Sequence, residues 1–550
     1  MKEKRTLREW VLGVNAVFLV FLVVIMCPVF ETNDDLTIME MVSGAWNIQD
    51  AHVVYQNYLL GKLYVLLYSL TKCVPWYGLI QYVFLWLAFS AIVYVIMKRL
   101  PKELGITLSI LVLCFFGYEC YIEMQYTKTA GVLTIAGILL IFQECTAEIR
   151  SKKLLISGIV LSCIGSMYRF EQFVACAALM SGLGIFQIFK GRKKDIFKQI
   201  GRPLFWVIVM LVISFGLKGM DTYIYQSDPQ WKQYTEYNEL RTELLDYDFP
   251  DYEENEEEYT ELGITEDAYK LWSHWNFGDP DLFNIETMKK LVSLTSQKAL
   301  NGELIDNFLD KFPKKYFQTP VFYCVLLILF LGILERKNSL KKYGTWIYET
   351  FLFMGLYFYL YWQGRYDRNH VDVSLWLAVL LVMIWTLDGT RQWFEKQTEI
   401  VLCAAVLIFS QYQWYGSWRV NADQVTADGK SVLEDLKADS GHLYITKSKT
   451  LDYSSGYGPL DLMPEGISGH FSYFGGWETD TILWKQKLAC YDVVNLYKDS
   501  INNEKVRLID DEIDVTINYI HTYYDENAKA VQVDTYKGYP VYKIVSEKQG

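Results

Sequence analysis

Glu31-Thr32-Asn33-Asp34-Asp35 decides how this sequence is read. It follows directly on the apolar run Val11–Phe30, so two adjacent carboxylates stand where a hydrophobic helix ends and water begins. A run of about 20 apolar residues matches the thickness of a bilayer core. Charge at that depth is costly unless it is used or paired, which makes the acidic pair a functional hypothesis. The basic start Met1-Lys2-Glu3-Lys4-Arg5-Thr6-Leu7-Arg8 places the N-terminus in the cytoplasm. The run is too long for a signal-peptide core and lacks a small-residue cleavage site, so it reads as a retained first helix. That helix delivers Asp34 and Asp35 to the outer face.

Working outward, Leu36 to Cys73 is amphipathic rather than uniformly apolar, with Gln56, Asn57, Gly61 and Lys62 among Tyr55, Tyr58, Tyr64 and Tyr68. It predicts one or two helices lying at the outer interface. Further apolar runs follow at Trp76–Met97, Gly105–Tyr118, Thr129–Phe142, Leu154–Met167, Gln172–Phe189 and Pro203–Leu217. Four more follow at Pro320–Leu334, Trp346–Trp362, Val371–Leu387 and Ile400–Tyr415. Lys98-Arg99, Arg150 with Lys152 and Lys153, Lys190 to Arg202, Arg336 to Lys342, and Arg391 with Lys396 recur on one side. The alternation of basic loops predicts about eleven spans.

The expected fold is a polytopic α-helical membrane domain over residues 1–415 and a soluble α/β extracytoplasmic domain over 416–550. In the second, His442-Leu-Tyr-Ile-Thr446, Val506-Arg-Leu-Ile-Asp510 and Val541-Tyr-Lys-Ile-Val545 alternate like strands, and Asp514–Tyr524 reads as helical. Within the first, residues 31–75 form the first outer loop. Residues 221–318 form a large acidic outer loop with enough aromatics to fold.

Composition removes several function classes. With 52% hydrophobic residues and a net charge of −12, no basic face is available for a nucleic acid. The cysteines fall mostly inside apolar runs, which excludes a disulfide-built ectodomain. The six histidines have no zinc spacing, and no phosphate-binding loop, dinucleotide fingerprint or Gly-x-Ser-x-Gly occurs.

Asp34 and Asp35 are the candidate catalytic residues, since a carboxylate can take the proton of an acceptor hydroxyl. Arg169 and Glu171 sit between two apolar helices with almost no loop, where a guanidinium suits an anionic head group. Arg365 and Arg368, in Gly364-Arg365-Tyr366-Asp367-Arg368, are further candidates for a phosphate leaving group. Lys128, Glu119, Glu123, Arg241, Asp246 and Asp279 are weaker candidates. Each has a plain alternative: a helix-end polar cap for the acids, snorkelling or local pairing for the cations. Asp279-Pro-Asp281 reads better as a turn than as a metal motif. The residues leave both a metal-free site and one holding a divalent cation open.

An N-in helix, Asn33-Asp34-Asp35 in the first outer loop, interfacial helices, many further spans and a soluble outer domain together resemble the GT-C class of membrane glycosyltransferases. Asn33–Asp35 with Gly44, Asn57-Tyr58-Leu59-Leu60-Gly61, Pro75-Trp76-Tyr77, and Tyr237-Asn238 with Arg241 and Asp246-Tyr247 also resemble multi-span proteins of Firmicutes that carry no assigned activity. The GT-C resemblance implies an essential acid in the first outer loop and a polyprenyl-phosphate-linked sugar as donor. It implies an extracytoplasmic acceptor, a cell-wall or surface glycan or a lipid-linked one, and a place among the lipids of a bacterial plasma membrane. The pair here is Asp-Asp, not the Asp-Glu of the protein O-mannosyltransferases, and the Trp-Trp-Asp-Tyr-Gly signature of oligosaccharyltransferases is absent. Two rivals compete with the transferase reading: a transporter or flippase of lipid-linked glycans, and a non-catalytic anchor presenting a binding domain.

Overall fold

A computed structural model describes residues 2–190, 196–247, 249–295, 300–317, 319–335, 340–366, 368–388, 429–447, 449–451 and 456–547. Helix α1 (Lys2–Ile25) leads through the short strand β1 (Val29–Phe30) to α2 (Asn33–Ser43), α3 (Tyr58–Leu70), α4 (Trp76–Arg99) and α5 (Lys102–Val112). A π-helical turn over Leu113–Gly117 joins α5 to α6 (Tyr118–Ile122), and β2 (Glu123–Met124) precedes α7 (Tyr126–Thr146). Then come α8 (Lys152–Tyr168), α9 (Phe170–Leu179), α10 (Gly182–Lys190) and α11 (Ile196–Ser227).

The first helix ends at Ile25, not at Phe30. Val29 and Phe30 instead pair in parallel with Glu123 and Met124. The acidic pair also falls differently from the expectation. Asp34 and Asp35 lie in the first turn of α2 itself, where the helix dipole favours negative charge. Helix α2 ends at Gly44, whose φ of +90° lets its N–H close onto the Glu40 carbonyl in a left-handed cap. Its residues Asp35 to Ser43 are all buried, so α2 is a core helix. Helix α3 has the amphipathic pattern expected of this region. It buries Leu60, Gly61, Tyr64 and Tyr68 and exposes Leu66 and Leu70.

Among the described residues, seven helical segments are long and apolar enough to cross a bilayer: Leu7–Ile25, Trp76–Arg99, Lys102–Ile122, Tyr126–Thr146, Phe170–Lys190, Ile200–Ser227 and Asn369–Thr386. The chain is a membrane protein, with an apolar surface to match: Val24 on α1 is 77% exposed and Val212 on α11 is 67% exposed. Such faces suit lipid, while α7 is buried at almost every position from Tyr126 to Cys145. The other four expected spans do not meet the same test among the described residues. Leu154–Met167 lies in α8, which stops at 17 residues. Pro320–Leu334 corresponds to one half of a pair of helices bent by 88°. Trp346–Trp362 lies in a continuous 23-residue helix whose apolar run carries Glu349 and several tyrosines. Ile400–Tyr415 lies outside the described residues, as do Arg391 and Lys396.

The loop after α11 folds into α12 (Pro229–Arg241), a π-helical turn over Thr242–Tyr247, α13 (Glu256–Glu261), α14 (Glu266–Ser273) and α15 (Ile285–Leu294). Asp228 caps α12 by accepting from the N–H groups of Gln230 and Trp231, with Pro229 at the first helical position. The bundle resumes with α16 (Gly302–Tyr316), α17 (Pro320–Ile333), α18 (Leu340–Trp362) and α19 (Asn369–Thr386). After a helix α20 over 429–438, the C-terminal part adds β3 (Leu443–Thr446), β4 (Phe471–Tyr473), α21 (Ile482–Ala489), β5 (Val506–Ile509), α22 (Ile513–Tyr523), β6 (Lys529–Tyr536) and β7 (Tyr539–Val545).

The strand order is β4-β3-β5-β7-β6. The first three strands are parallel, and β6 and β7 form an antiparallel hairpin. Lys537 (φ +49°) and Gly538 (φ +88°) make its two-residue turn, the backbone that matches strand twist. Trp272, Phe277, Phe283 and Leu291 from the 229–294 segment share one hydrophobic cluster with Leu443, Ile445, Leu508 and Ile544 of this sheet. The acidic loop and the C-terminal sheet are therefore packed together.

Residues 456–478 dock this unit on the bundle. The N–H of Gly466 donates to Gly44 O (3.2 Å), and that of Ser468 donates to Ala45 O (3.1 Å). A Cβ on Gly78, at the start of α4, would lie 1.9 Å from Pro459 O. Replacing Gly78 with Ala is expected to cost about 1–3 kcal/mol of overpacking. Thermal unfolding in detergent should read this as a lowered midpoint, while Gly216→Ala, with open space around it, leaves the midpoint unchanged or raised. Equal midpoints for the two variants would contradict the docking.

Candidate active site

The first turn of α2 splits the acidic pair into two environments. Asp35 is 0% exposed. Its Oδ1 accepts from Tyr77 OH (2.7 Å) and Gln81 Nε2 (3.3 Å) on α4, and its Oδ2 accepts from the Tyr126 N–H (3.3 Å) at the start of α7. Asp35 thus joins three helices. Burial pushes its carboxyl up to about 7, against the pull of those donors.

Asp34, one residue earlier, accepts from Tyr126 OH at 3.4 Å and is half-buried. Burial raises its carboxyl above the ordinary range. His370 and Arg169 draw it back, and Asp246 pushes it further up. These four groups come from four separate parts of the chain and face one cleft. Its aromatic wall is the parallel pair Tyr55 and Tyr126 (centroids 6.3 Å apart), with Trp477 against Tyr55 at 5.1 Å. Trp477 is held from the side by Tyr234, whose OH donates to its carbonyl at 2.6 Å.

The cations line the same cleft. Arg169 caps the start of α9, stacks over the Tyr55 ring at 5.0 Å and pairs through Nε with Glu171 (2.9 Å). Glu171 itself is 66% exposed in its side chain, so its hold on Arg169 is a solvated one. Arg365 donates through Nη2 to Asp246 Oδ2 at 3.2 Å and lies over the Tyr247 ring. Arg241 reaches the same carboxylate oxygen at 3.7 Å. It is fully buried and donates to Asn238 Oδ1, Thr242 Oγ1 and Tyr55 OH, leaving Nη1 without a hydrogen-bond partner.

Asp34, Asp35, Arg169, Glu171, Arg241 and Arg365 therefore converge. Arg368 does not join them. It is exposed at the cap of α19, where its carbonyl accepts from the N–H groups of Val371 and Asp372. Lys128 lies beside the cleft on α7, wholly buried and paired with Glu31 and Glu119. Asp279 is a structural knot and not part of the cleft. It accepts from Tyr519 OH, Tyr524 OH and Asn495 Nδ2, and from the N–H groups of Asp281 and Leu282, in the turn the tripeptide predicts.

Sequence reading missed Tyr55, Tyr126, His370 and Trp477, which are unremarkable types in a chain with 41 Tyr and 17 Trp residues. It also missed a buried charged group under α2: Glu40, Glu478 and Lys487. Burial pushes Glu40 up to about 7 and Lys487 down, each opposed by its neighbours. Lys487 lies 4.2 Å over the Trp46 ring. This group ties α2 to the C-terminal unit that supplies Trp477.

No family model matches the chain, and no curated protein matches it. The crystal structure of ArnT from Cupriavidus metallidurans bound to undecaprenyl phosphate aligns with 97% of this chain and 97% of its own. The identity is 10% and the TM-score is 0.41, so the chemistry rests on the geometry above and not on that likeness.

The two aspartates should separate in stability. Three donors converge on Asp35, and an amide there turns an N–H toward one of them. Asp35→Asn is expected to cost about 1–3 kcal/mol for the unsatisfied group. Asp34→Asn removes a desolvated charge and should stay within about 0.5 kcal/mol of the parent. Thermal unfolding of the two variants in detergent checks this, and the reverse order would contradict the split.

Proposed function

We propose that this chain is a membrane glycosyltransferase that moves a sugar from a polyprenyl-phosphate donor to a hydroxyl acceptor at the outer face. The observation that carries the reading is the half-buried Asp34 carboxylate facing a cleft with two arginines, beside a neighbour locked into the fold. Asp34 takes the proton of the acceptor hydroxyl. The acceptor oxygen attacks the anomeric carbon, the bond from that carbon to the phosphate oxygen breaks with its electron pair, and the configuration inverts. Arg169 and Arg365 stabilise the phosphate as it leaves, with Arg241 holding Asp246 and Tyr55 in place. Preorganised charge of this kind commonly supplies the largest part of a barrier reduction. The Tyr55–Tyr126 wall suits the apolar face of a sugar ring.

The proposed sidedness is supported by the charges at the other end of the bundle. Helices α1, α5, α8 and α18 start there, and α4, α10 and α19 finish there. Contacts between those termini fix the arrangement: Arg99 donates to Trp385 O at 3.1 Å, and Lys341 to Lys190 O at 3.3 Å. Arg8, Arg99, Arg150, Lys152, Lys190 and Lys341 thus gather opposite the cleft. The positive-inside rule supports a reading with that end in the cytoplasm and the cleft outside.

Transfer should be measured in membranes or detergent with a panel of labelled polyprenyl-phosphate sugars. Asp34→Asn is expected to lower kcat by ~10²–10⁴, the contribution of a positioned base. Arg365→Ala is expected to lower it by ~10²–10³ as an electrostatic stabiliser. Full transfer by folded Asp34→Asn would remove the base from the mechanism, and no transfer by the parent with any donor would remove the reading.

The pH profile supplies a separate check. The base must be ionised to accept a proton, and burial raises its pKa, so transfer should rise with pH through a limb above the ordinary aspartate value of about 4. An acid limb at or below that value would contradict Asp34 as the base.

A further inference from the structure

A second charged cluster backs the cleft, and it has the donor set of a metal site. Glu31 is fixed by the β1–β2 pairing, its N–H donating to Met124 O at 3.0 Å. Glu123 begins the partner strand, and Glu119 lies one turn earlier on α6. One carboxylate oxygen from each of Glu31, Glu119 and Glu123 lies within 4.8 Å of the others. Three carboxylates so close are the ligands that a hard divalent cation takes.

Lys128 stands among them. Its Nζ lies 2.5 Å from Glu31 Oε2 and 2.7 Å from Glu119 Oε1, and it donates to the Glu123 carbonyl at 2.9 Å. Two of its N–H donors are hydrogen-bonded, to Glu119 Oε1 and to the Glu123 carbonyl, and Glu31 is held as an ion pair. The side chain is 0% exposed, so no water competes for it.

We propose that the Lys128 ammonium is the resident cation of this carboxylate cage, in the place a divalent ion would otherwise take. The cage then holds a cation that is part of the chain, does not exchange and is not removed by a chelator. The cage stands on its own geometry; its consequence for transfer rests on the proposed reaction.

Lys128 is in this view a positioning residue. Glu31 is shared, because its other oxygen, Oε1, meets His370 Nδ1 at 3.3 Å. Glu119 is shared as well, accepting from Asn369 Nδ2 at 2.9 Å. Through these two acids the ammonium clamps the N-terminus of α19 to the α6–β2–α7 corner. It also clamps the segment entering α2, three residues before Asp34. Without it, three carboxylates, that of Glu119 buried and the other two half-buried, would face one another, and that corner would lose its register with the base.

The test uses the full chain in detergent, with Mn²⁺ as the probe read by electron paramagnetic resonance. The parent should show no Mn²⁺ binding that depends on Glu119, compared with Glu119→Gln, and its transfer should survive treatment with EDTA. Lys128→Ala should bind about one Mn²⁺ per chain at the vacated cage. Its unfolding midpoint should fall below that of the parent and rise on adding Mn²⁺, and both effects should vanish in Lys128→Ala/Glu119→Gln. A folded Lys128→Ala that neither binds Mn²⁺ nor is stabilised by it overturns the proposal. Glu119-dependent Mn²⁺ binding by the parent also overturns it. If Lys128→Ala is recovered only when Mn²⁺ is supplied, the proposal is supported; if it is not recovered at all, the parent measurements decide. A parent that transfers no sugar but shows the expected Mn²⁺ pattern would sink the transferase reading and leave the cage intact.

Discussion

One buried carboxylate sets the geometry on which the rest depends. Asp35 gathers Tyr77 and Gln81 from α4 and the first N–H of α7 onto a single side chain with no access to water. A buried charged group without such partners would be too costly to keep. With them, it fixes the rotation of α2 about its own axis. Rotation matters because Asp34 is the adjacent residue, about 100° around the helix. Locking Asp35 inward leaves Asp34 turned to the cleft. Adjacent acids in a loop would have had no such division, and the helical first turn is what creates it.

The remaining walls of the cleft come from distant sequence and are held by close backbone approach. Gly78 admits the Pro459 carbonyl, and Gly466 and Ser468 bond to the backbone around the cap of α2. These contacts seat residues 456–478 on the bundle and bring Trp477 beside Tyr55. Glu40, on the same helix as Asp34, is buried close enough to Lys487 and Glu478 for their charges to act on it. A buried charged group gives little net stability but penalises every arrangement that separates its members. Its position under α2 therefore favours one seating of the C-terminal unit over a sliding one.

The legible part of the fold was the part written in period and charge. Long apolar runs gave seven helices that can cross a bilayer, and strand alternation at 443–446, 506–509 and 539–545 appears as β3, β5 and β7. The acidic pair stood out because charge beside an apolar run is unusual. Arg169 and Arg365 stood out for the same reason. Less legible was anything decided by packing at long range. Leu36–Ser43 belonged to a stretch that read as interfacial because Gln56, Asn57, Gly61 and Lys62 interrupt it, yet Asp35 to Ser43 are all buried. Phe30 extended an apolar run and could not announce that it would pair with Met124, 94 residues later. Tyr55, Tyr126 and His370 carried no sequence signal, because their meaning lies only in what they face.

The charges around Asp34 also limit what the cleft can accommodate. Arg169 and Arg365 each have an acid of their own, Glu171 and Asp246, before any ligand arrives. A guanidinium paired in this way is already oriented, so an anion entering the cleft exchanges one carboxylate for another acceptor and need not order a free side chain. Glu171 is largely solvated and readily displaced, whereas Asp246 is also held by Arg241. The two arginines are thus unequal: Arg169 is the one whose pairing can change, and Arg365 is the one kept in place. On the other flank, Glu31 faces both Lys128 and His370, and its interactions with them outweigh its burial and hold its carboxyl down to about 2. Glu31 therefore stays ionised beside His370, and His370 draws down the carboxyl of Asp34 that burial has raised. The strength of the proposed base is set by a balance between its burial and the groups around it, His370, Arg169 and Asp246.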